Sequence, residues 1–275
     1  MTVAPETQRP RALIVTVYGA FARDEVGGWI AVADLIALMA PLGVDEQSVR
    51  SSISRLKQRE VLEPERRAGV AGYALSDWGR HLVAAGDQRI LVRHPPARLA
   101  DGWLLAVFSV PESQRSQRHQ LRSQLAWLGF GTAAAGVWVA PSHLLPEARE
   151  TLARHGLDHF VKFFRGDYLP TAGDHRAAVA QWWDLDVLQQ TYAEFIAVHG
   201  PTLDAWSRPA DDQTAFADYV RVLTAWRRLP YLDPRLPVET LPAGWNGDRA
   251  ADVFFGLRDL LADAALRHVR TLTRR

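Results

Sequence analysis

The stretch from Gln47 to Arg59, QSVRSSISRLKQR, constrains this chain more than any other. Val49, Ile53 and Leu56 recur at helical spacing, so they share one apolar face. At about 100° per residue, Gln47, Ser51, Ser54 and Gln58 fall opposite them, with Arg50 and Arg55 on the flanks. The stretch also holds Lys57 and Arg59, and no acid. Small polar side chains framed by arginines suit a groove lined by phosphates and base edges. A segment of this kind in isolation is usually a solvated helix. Its neighbours decide the matter.

Upstream, Pro10 precedes ALIVTVYGAF, a run apolar enough for a buried helix and β-branched enough for a strand. Ile30 to Met39 has helical spacing at Val32, Leu35, Ile36 and Met39, and Pro41 and Gly43 end it. Asp45 is placed to cap the next helix by accepting from an amide near Ser48. A helix, a short turn with glycine and a second helix with a polar outer face make the helix-turn-helix pattern. Downstream, Val61-Leu62 and Tyr73 to Leu75 read as short strands around a loop from Glu63 to Gly72. Such a hairpin is a wing, and its Arg66 and Arg67 would be drawn to phosphates or the minor groove. Ser76 caps a further helix to about Ile90.

Length and composition bound the rest. The 275 residues suffice for two or three domains. Hydrophobic residues make up 48% and charged residues 23%, so the chain has a globular make-up. With a net charge of +1, DNA contact must come from local patches. The absence of cysteine excludes disulfides and thiolate metal sites, and the histidines show no zinc spacing. No apolar run is long enough to span a bilayer, and MTVAPETQRPR is unlike a signal peptide, so a soluble cytoplasmic protein is expected.

Pro95-Pro96 reads as a linker. Beyond it, Trp103 to Val110 is a strand, about 115–128 a helix, and Gly131 to Ala140 holds a strand near Val137 with a short one before it. Leu144 to Arg154 is a second helix and Phe160 to Phe164 a last strand, giving the βαββαβ order of a ferredoxin-like domain. An open sheet leaves edge strands for pairing with a second copy. The last third reads as helical. Asp174 caps one helix, Val187 to His199 forms another that stops at Gly200-Pro201, and Asp211-Asp212 open a third. Arg228 to Gly247 is expected to be an irregular, functional loop, followed by an amphipathic helix from Asp248 to Leu272. Its basic end, Arg267, Arg270, Arg274 and Arg275, suits the helix dipole.

Several blocks resemble the PaaX family, bacterial repressors of phenylacetic-acid catabolism. They are VYGAFAR (Val17 to Arg23), GGWI (Gly27 to Ile30), LMAPLGVDEQSVRSSISRLKQREVL (Leu38 to Leu62) and GYALSDWGR (Gly72 to Arg80). The string LPYLDPRLPVETLPAGWNG before the last helix is similar to that of the family's C-terminal domain. The expected fold is therefore α+β and multidomain. It comprises an N-terminal winged helix-turn-helix (1–92), a central ferredoxin-like βαββαβ domain (98–168) and an all-helical C-terminal domain (174–275). The resemblance implies a homodimer on double-stranded operator DNA, with phenylacetyl-CoA or a related aromatic acyl-CoA as effector. It also likens the central domain to small CRISPR spacer-acquisition nucleases, in which an aspartate at the end of the first strand holds a metal. Here that place, VFSVPES, has Ser109 and Val110, with Glu112 beyond Pro111.

Gln47, Ser48, Ser51 and Ser54 are assigned to base edges or sugars, Arg50, Arg55 and Lys57 chiefly to phosphates, and Arg66 and Arg67 to the backbone or minor groove. An acyl-CoA pocket wants apolar walls with a few cations, and Trp226, Arg227, Arg228 and Tyr231 offer both. No nucleophile elbow, P-loop, zincin or dinucleotide motif is present, so no catalytic or metal residue is assigned and an enzyme is not expected. Two other readings stay open. One is a metal-dependent nuclease using the central domain. The other is a protein-interaction adaptor without DNA binding, suggested by Glu63 and Glu65 diluting the charge of the hairpin.

Overall fold

The computed structural model describes residues 9–170, 173–206 and 211–273. The N-terminal MTVAPETQ and the terminal Arg274 and Arg275 lie outside them. The chain is α+β, with two antiparallel sheets and a helical C-terminal part. It divides into two compact units. One joins the chain up to Arg93 with Glu194–Arg227 and the chain from Arg249; the other joins His94–Ala193 with Arg228–Asp248. Among the described residues no helix is long and apolar enough to cross a membrane.

In the first unit, α1 (Pro10–Val17) runs on through a π-helical turn at Tyr18–Ala22. Between helix and strand the choice is therefore helix, and Ile14, Val17, Tyr18 and Phe21 are buried on it. A three-residue strand, β1 (Trp29–Ala31), precedes α2 (Val32–Met39). The helix thus starts two residues later than periodicity suggests, because Trp29 to Ala31 pair with Ala74 to Gly72 of a distant strand. Gly43 closes the turn after α2 at φ 77°, a left-handed geometry that glycine adopts without Cβ strain. Next comes α3 (Glu46–Gln58), with Val49, Ile53 and Leu56 buried.

The hairpin strands β2 (Leu62–Arg67) and β3 (Val70–Leu75) are far longer than expected. The loop shrinks to Ala68 and Gly69, both at positive φ, as two-residue hairpin turns require. Charge and Pro64 mask β2 in the sequence. The strand order β1-β3-β2 puts it at an edge, where a proline breaks no ladder bond. Ser76 caps α4 (Asp77–Leu91) by accepting from the Gly79 amide.

The C-terminal helices complete this unit's core. Helix α8 (Leu185–Ala205) passes straight through Gly200-Pro201, the expected stop. Its extra turn is held by packing: Leu203 lies over Gly256, and the indole of Trp206 donates to Asp218 at 2.9 Å. Tertiary contact outweighs the hydrogen bond that proline forfeits. Asp211 caps α9 (Asp212–Trp226), which packs on α1 through Phe216 and Tyr219 against Phe21. The hydroxyls of Thr16 and Thr224 meet at 2.7 Å, fully buried. In α10 (Gly247–Thr273), Arg267 pairs with Asp212 at 2.8 Å, and Arg270 pairs with Glu25.

The second unit holds a four-stranded sheet of β4 (Trp103–Phe108), β5 (Gly131–Ala134), β6 (Val137–Pro141) and β7 (Val161–Gly166). Their order is β5-β6-β4-β7 and every pair is antiparallel. Helices α5 (Arg115–Trp127) and α6 (Leu145–Arg154) stand between strands in the chain. Alternation along each strand splits the core in two. Leu104, Ala106, Trp138 and Ala140 pack with Leu121, Leu125, Ala148 and Leu152 of the two helices. On the other face, Trp103 and Val139 pack with Val179 of α7 (His175–Trp182), with Leu185 and Leu188, and with Leu236.

Leu236 belongs to the stretch expected to be a free loop. That stretch holds one helical turn at Leu229–Leu232 and is irregular afterwards, but it is bound down. The hydroxyl of Tyr192 donates to the buried Asp233 at 2.8 Å, and the Arg235 amide donates to its other oxygen at 2.6 Å.

Candidate nucleic-acid interface

Each turn of α3 is set by local chemistry. One Asp45 carboxylate oxygen accepts from the Ser48 amide at 2.8 Å, and the other from the Ser48 hydroxyl at 2.7 Å. These bonds fix the first turn, and they hold the Asp45 carboxyl below its usual range. Val49, Ile53 and Leu56 turn inward, with Ser52 buried among them. Gln47, Ser51, Ser54, Arg55, Lys57 and Gln58 are exposed, and Ser48 is partly so. The polar stripe therefore lies on one accessible face. The turn before α3 is held from another element, since Arg221 of α9 donates to the Pro41 carbonyl at 3.0 Å.

The cations on this face are not equivalent. Helix α3 begins one residue earlier than the polar stripe, at Glu46, which takes Arg50 in an i,i+4 pair at 2.7 Å. Both partners are well exposed, so this pair adds little to stability and opens readily. Among the described residues, Arg55, Lys57 and Arg59 have no carboxylate partner.

The hairpin is also organised in detail. Arg67 pairs with Glu65 at 2.8 Å, and its guanidinium lies 5.4 Å from the centre of the Trp29 ring. The Trp29 indole donates to the Glu65 carbonyl at 3.1 Å. Its ring lies so close over Gly72 that a Cβ there would approach it to 2.4 Å. Arg66 donates to the Gly69 carbonyl at 2.9 Å, near the exposed tip. Periodicity does not mark Trp29, which lies in a strand of three residues. Its one signal was GGWI, which places an aromatic directly after two turn glycines.

Of the four expected effector residues, two belong to each unit. Trp226 is buried in the first unit, stacked on Phe254 at 4.7 Å, and its indole donates to the Ile90 carbonyl at 2.9 Å. Arg227 donates to the Ala12 carbonyl at 3.3 Å. In the second unit, Arg228 opens the Leu229–Leu232 turn, and Tyr231 lies 5.3 Å from Trp127.

At the end of β4, Glu112 pairs with Arg118 at 2.9 Å, and Ser109 lies in a cleft with Arg118 and Arg122. Two guanidinium groups repel a divalent cation, so this place is poorly suited to a metal.

These features define a multidomain α+β protein with an accessible polar helix face beside a hairpin that carries Arg66 and Arg67. Comparison with known proteins makes that class specific. The chain matches family descriptions for "PaaX-like protein" at residues 9–79, "PaaX protein central Cas2-like domain" at 96–179 and "PaaX-like protein C-terminal domain" at 183–271. It is 31% identical over 265 residues to "Transcriptional repressor PaaX" of Escherichia coli strain K12, covering 94% of this chain and 82% of the relative. The chain belongs to the PaaX family. Its fold is similar to that of the uncharacterized protein Rv0674 from Mycobacterium tuberculosis. The TM-score is 0.63 at 20% identity, and the match covers 96% of this chain and 99% of the other.

Proposed function

We propose that this protein is a transcriptional repressor that binds double-stranded operator DNA as a homodimer. In this reading α2, the Gly43 turn and α3 form a helix-turn-helix, and β2 and β3 form its wing. The observation that carries the reading is the exposed polar stripe of α3, with Arg55 and Lys57 beside it and, among the described residues, without a carboxylate partner. Gln47, Ser48, Ser51 and Ser54 reach base edges or sugars in the major groove. Arg55 and Lys57 hold phosphates, and Arg50 joins them once it leaves Glu46. Arg66 at the hairpin tip meets the backbone or minor groove, with Arg67 steadied behind it on Trp29. The E. coli relative's name as a repressor supports this assignment.

The four-stranded sheet is read as a ferredoxin-like domain that pairs two copies through an edge strand. The effector is an aromatic acyl-CoA of the phenylacetyl type, which releases the DNA by binding the DNA-incompetent arrangement more tightly. Trp226 is committed to the core, and of the four effector candidates Arg228 is the exposed one, with Arg227 and Tyr231 partly buried. A nuclease reading draws no support from the Arg118 and Arg122 pair at the β4 end.

A gel shift with the DNA upstream of the protein's own gene tests the reading. Arg55→Ala is expected to weaken binding by about 1–3 kcal/mol if it meets a base, or to lower the salt slope by about 1 if it meets a phosphate. Unchanged affinity and footprint would remove α3 from the interface.

A further inference from the structure

The cleft at the end of β4 has a volume of about 420 Å³, within the range of small-molecule sites. It lies wholly in the second unit. Phe108 and Ser109 line it from the strand end, Arg118 and Arg122 from α5, and Thr132 and Trp138 from the β5–β6 hairpin. Arg118 and Arg122 are one helical turn apart, so both emerge on the face that looks into the cleft.

The two arginines are prepared for an anion. Arg118 is aimed by a hydrogen bond from its guanidinium to the Val110 carbonyl at 2.7 Å. Its carboxylate partner among the described residues, Glu112, is 75% exposed, and a pair that open is easily exchanged for another oxyanion. Among the described residues, Arg122 has no carboxylate partner. Like charges at i,i+4 repel, and an oxyanion between them turns that repulsion into two charge-assisted contacts. Ser109 and Thr132 add hydroxyl donors. The rings of Phe108 and Trp138 supply apolar walls for the body of the ligand.

We propose that this cleft binds a small organic anion, an oxyanion carried on an aromatic body, with the oxyanion on Arg118 and Arg122 and the ring against Phe108 and Trp138. The proposal deepens the effector reading above and rests on it only for the ligand's role in releasing DNA. The oxyanion has two sources, the carboxylate of a free aromatic acid or a phosphate of its CoA thioester.

Calorimetric titration of the full-length protein with phenylacetate, phenylacetyl-CoA and coenzyme A separates them. At least one of the two aromatic probes is expected to saturate the protein. Arg122→Gln is expected to weaken it about tenfold with no change in Tm, and Arg118→Gln to act in the same direction. Binding of phenylacetate alone identifies the carboxylate; binding of phenylacetyl-CoA and coenzyme A identifies the phosphate. Either result supports the site. Absence of binding by both aromatic probes, or equal binding in wild type and both variants, overturns it. Weaker operator binding by Arg122→Gln without any ligand also overturns it, by placing the arginine on DNA. A gel shift in which the bound probe leaves operator affinity unchanged would sink the effector reading while the calorimetry still upholds the cleft.

Discussion

At the residue scale, most of what governs this protein is decided by what sits a few ångströms away in space. Gly72 is an instance. Its backbone lies under Trp29, and a methyl group there has no room. Gly72→Ala is expected to destabilise the fold by about 1–3 kcal/mol and to loosen the seat of Arg67, measurable by denaturant unfolding. His199 gives a pH-dependent case. Burial lowers its pKa to about 4, and the nearby Asp218 opposes this only in part. The unfolded imidazole titrates near about 6.5, and above that pH both states are neutral. Between about 6.5 and 4 the unfolded chain takes the proton first. Stability is then full above the upper value and falls with pH by up to about 1.4 kcal/mol per unit. His199→Gln should flatten that part of the profile of unfolding free energy against pH. Asp45 and the exposed serines of α3 were legible in the sequence because a cap and a helical face are local properties. The pairing of Arg50 with Glu46 falls just outside the stretch that periodicity marks.

At the scale of elements, legibility follows contact range. The helices α3, α9 and α10 follow their periodicity, and Asp45, Ser76, Asp174 and Asp211 each cap the helix expected of them. Strand β1 was hidden because three residues carry no period, and its partner lies more than forty residues away in β3. The hairpin strands were hidden by charge and by Pro64, which an edge position tolerates. The continuation of α8 past Pro201 depends on Leu203 and Trp206 finding partners, which no local rule registers. The hairpin turn yields a prediction of its own. Ala68 is held at φ 48°, a left-handed conformation that costs an L-residue about 1–2 kcal/mol. Asparagine tolerates it better. Ala68→Asn is therefore expected to raise thermal stability by a few tenths to about 1 kcal/mol. If operator binding tightens with it, the hairpin takes part in the interface; a stability gain without change in affinity argues that it does not.

At the scale of the whole molecule, the chain's order is not the order of its cores. The segment that carries α3 shares a compact unit with Glu194–Arg227 and with the chain from Arg249, and the sheet unit takes in Arg228–Asp248. Reading the sequence from end to end suggested consecutive blocks, since composition changes at Pro95-Pro96 and again near Asp174. It could not show that Phe216 would pack against Phe21 or that Thr224 would meet Thr16. Phe216→Ala is expected to cost about 3–5 kcal/mol. Its effect on operator binding should track the loss of folded protein, since the residue is fully buried and remote in sequence from α3. An affinity loss at temperatures where the variant remains folded would show instead that α9 sets the pose of α3. The joining of the first and last segments also bears on synthesis. Chains fold as they leave the ribosome, N-terminal parts first. Here Phe21 and Thr16 emerge early, while their partners at Phe216 and Thr224 are still unmade. The unit that begins the protein can be finished only after nearly all of it has been translated, and until then its apolar surface is a natural client for chaperones.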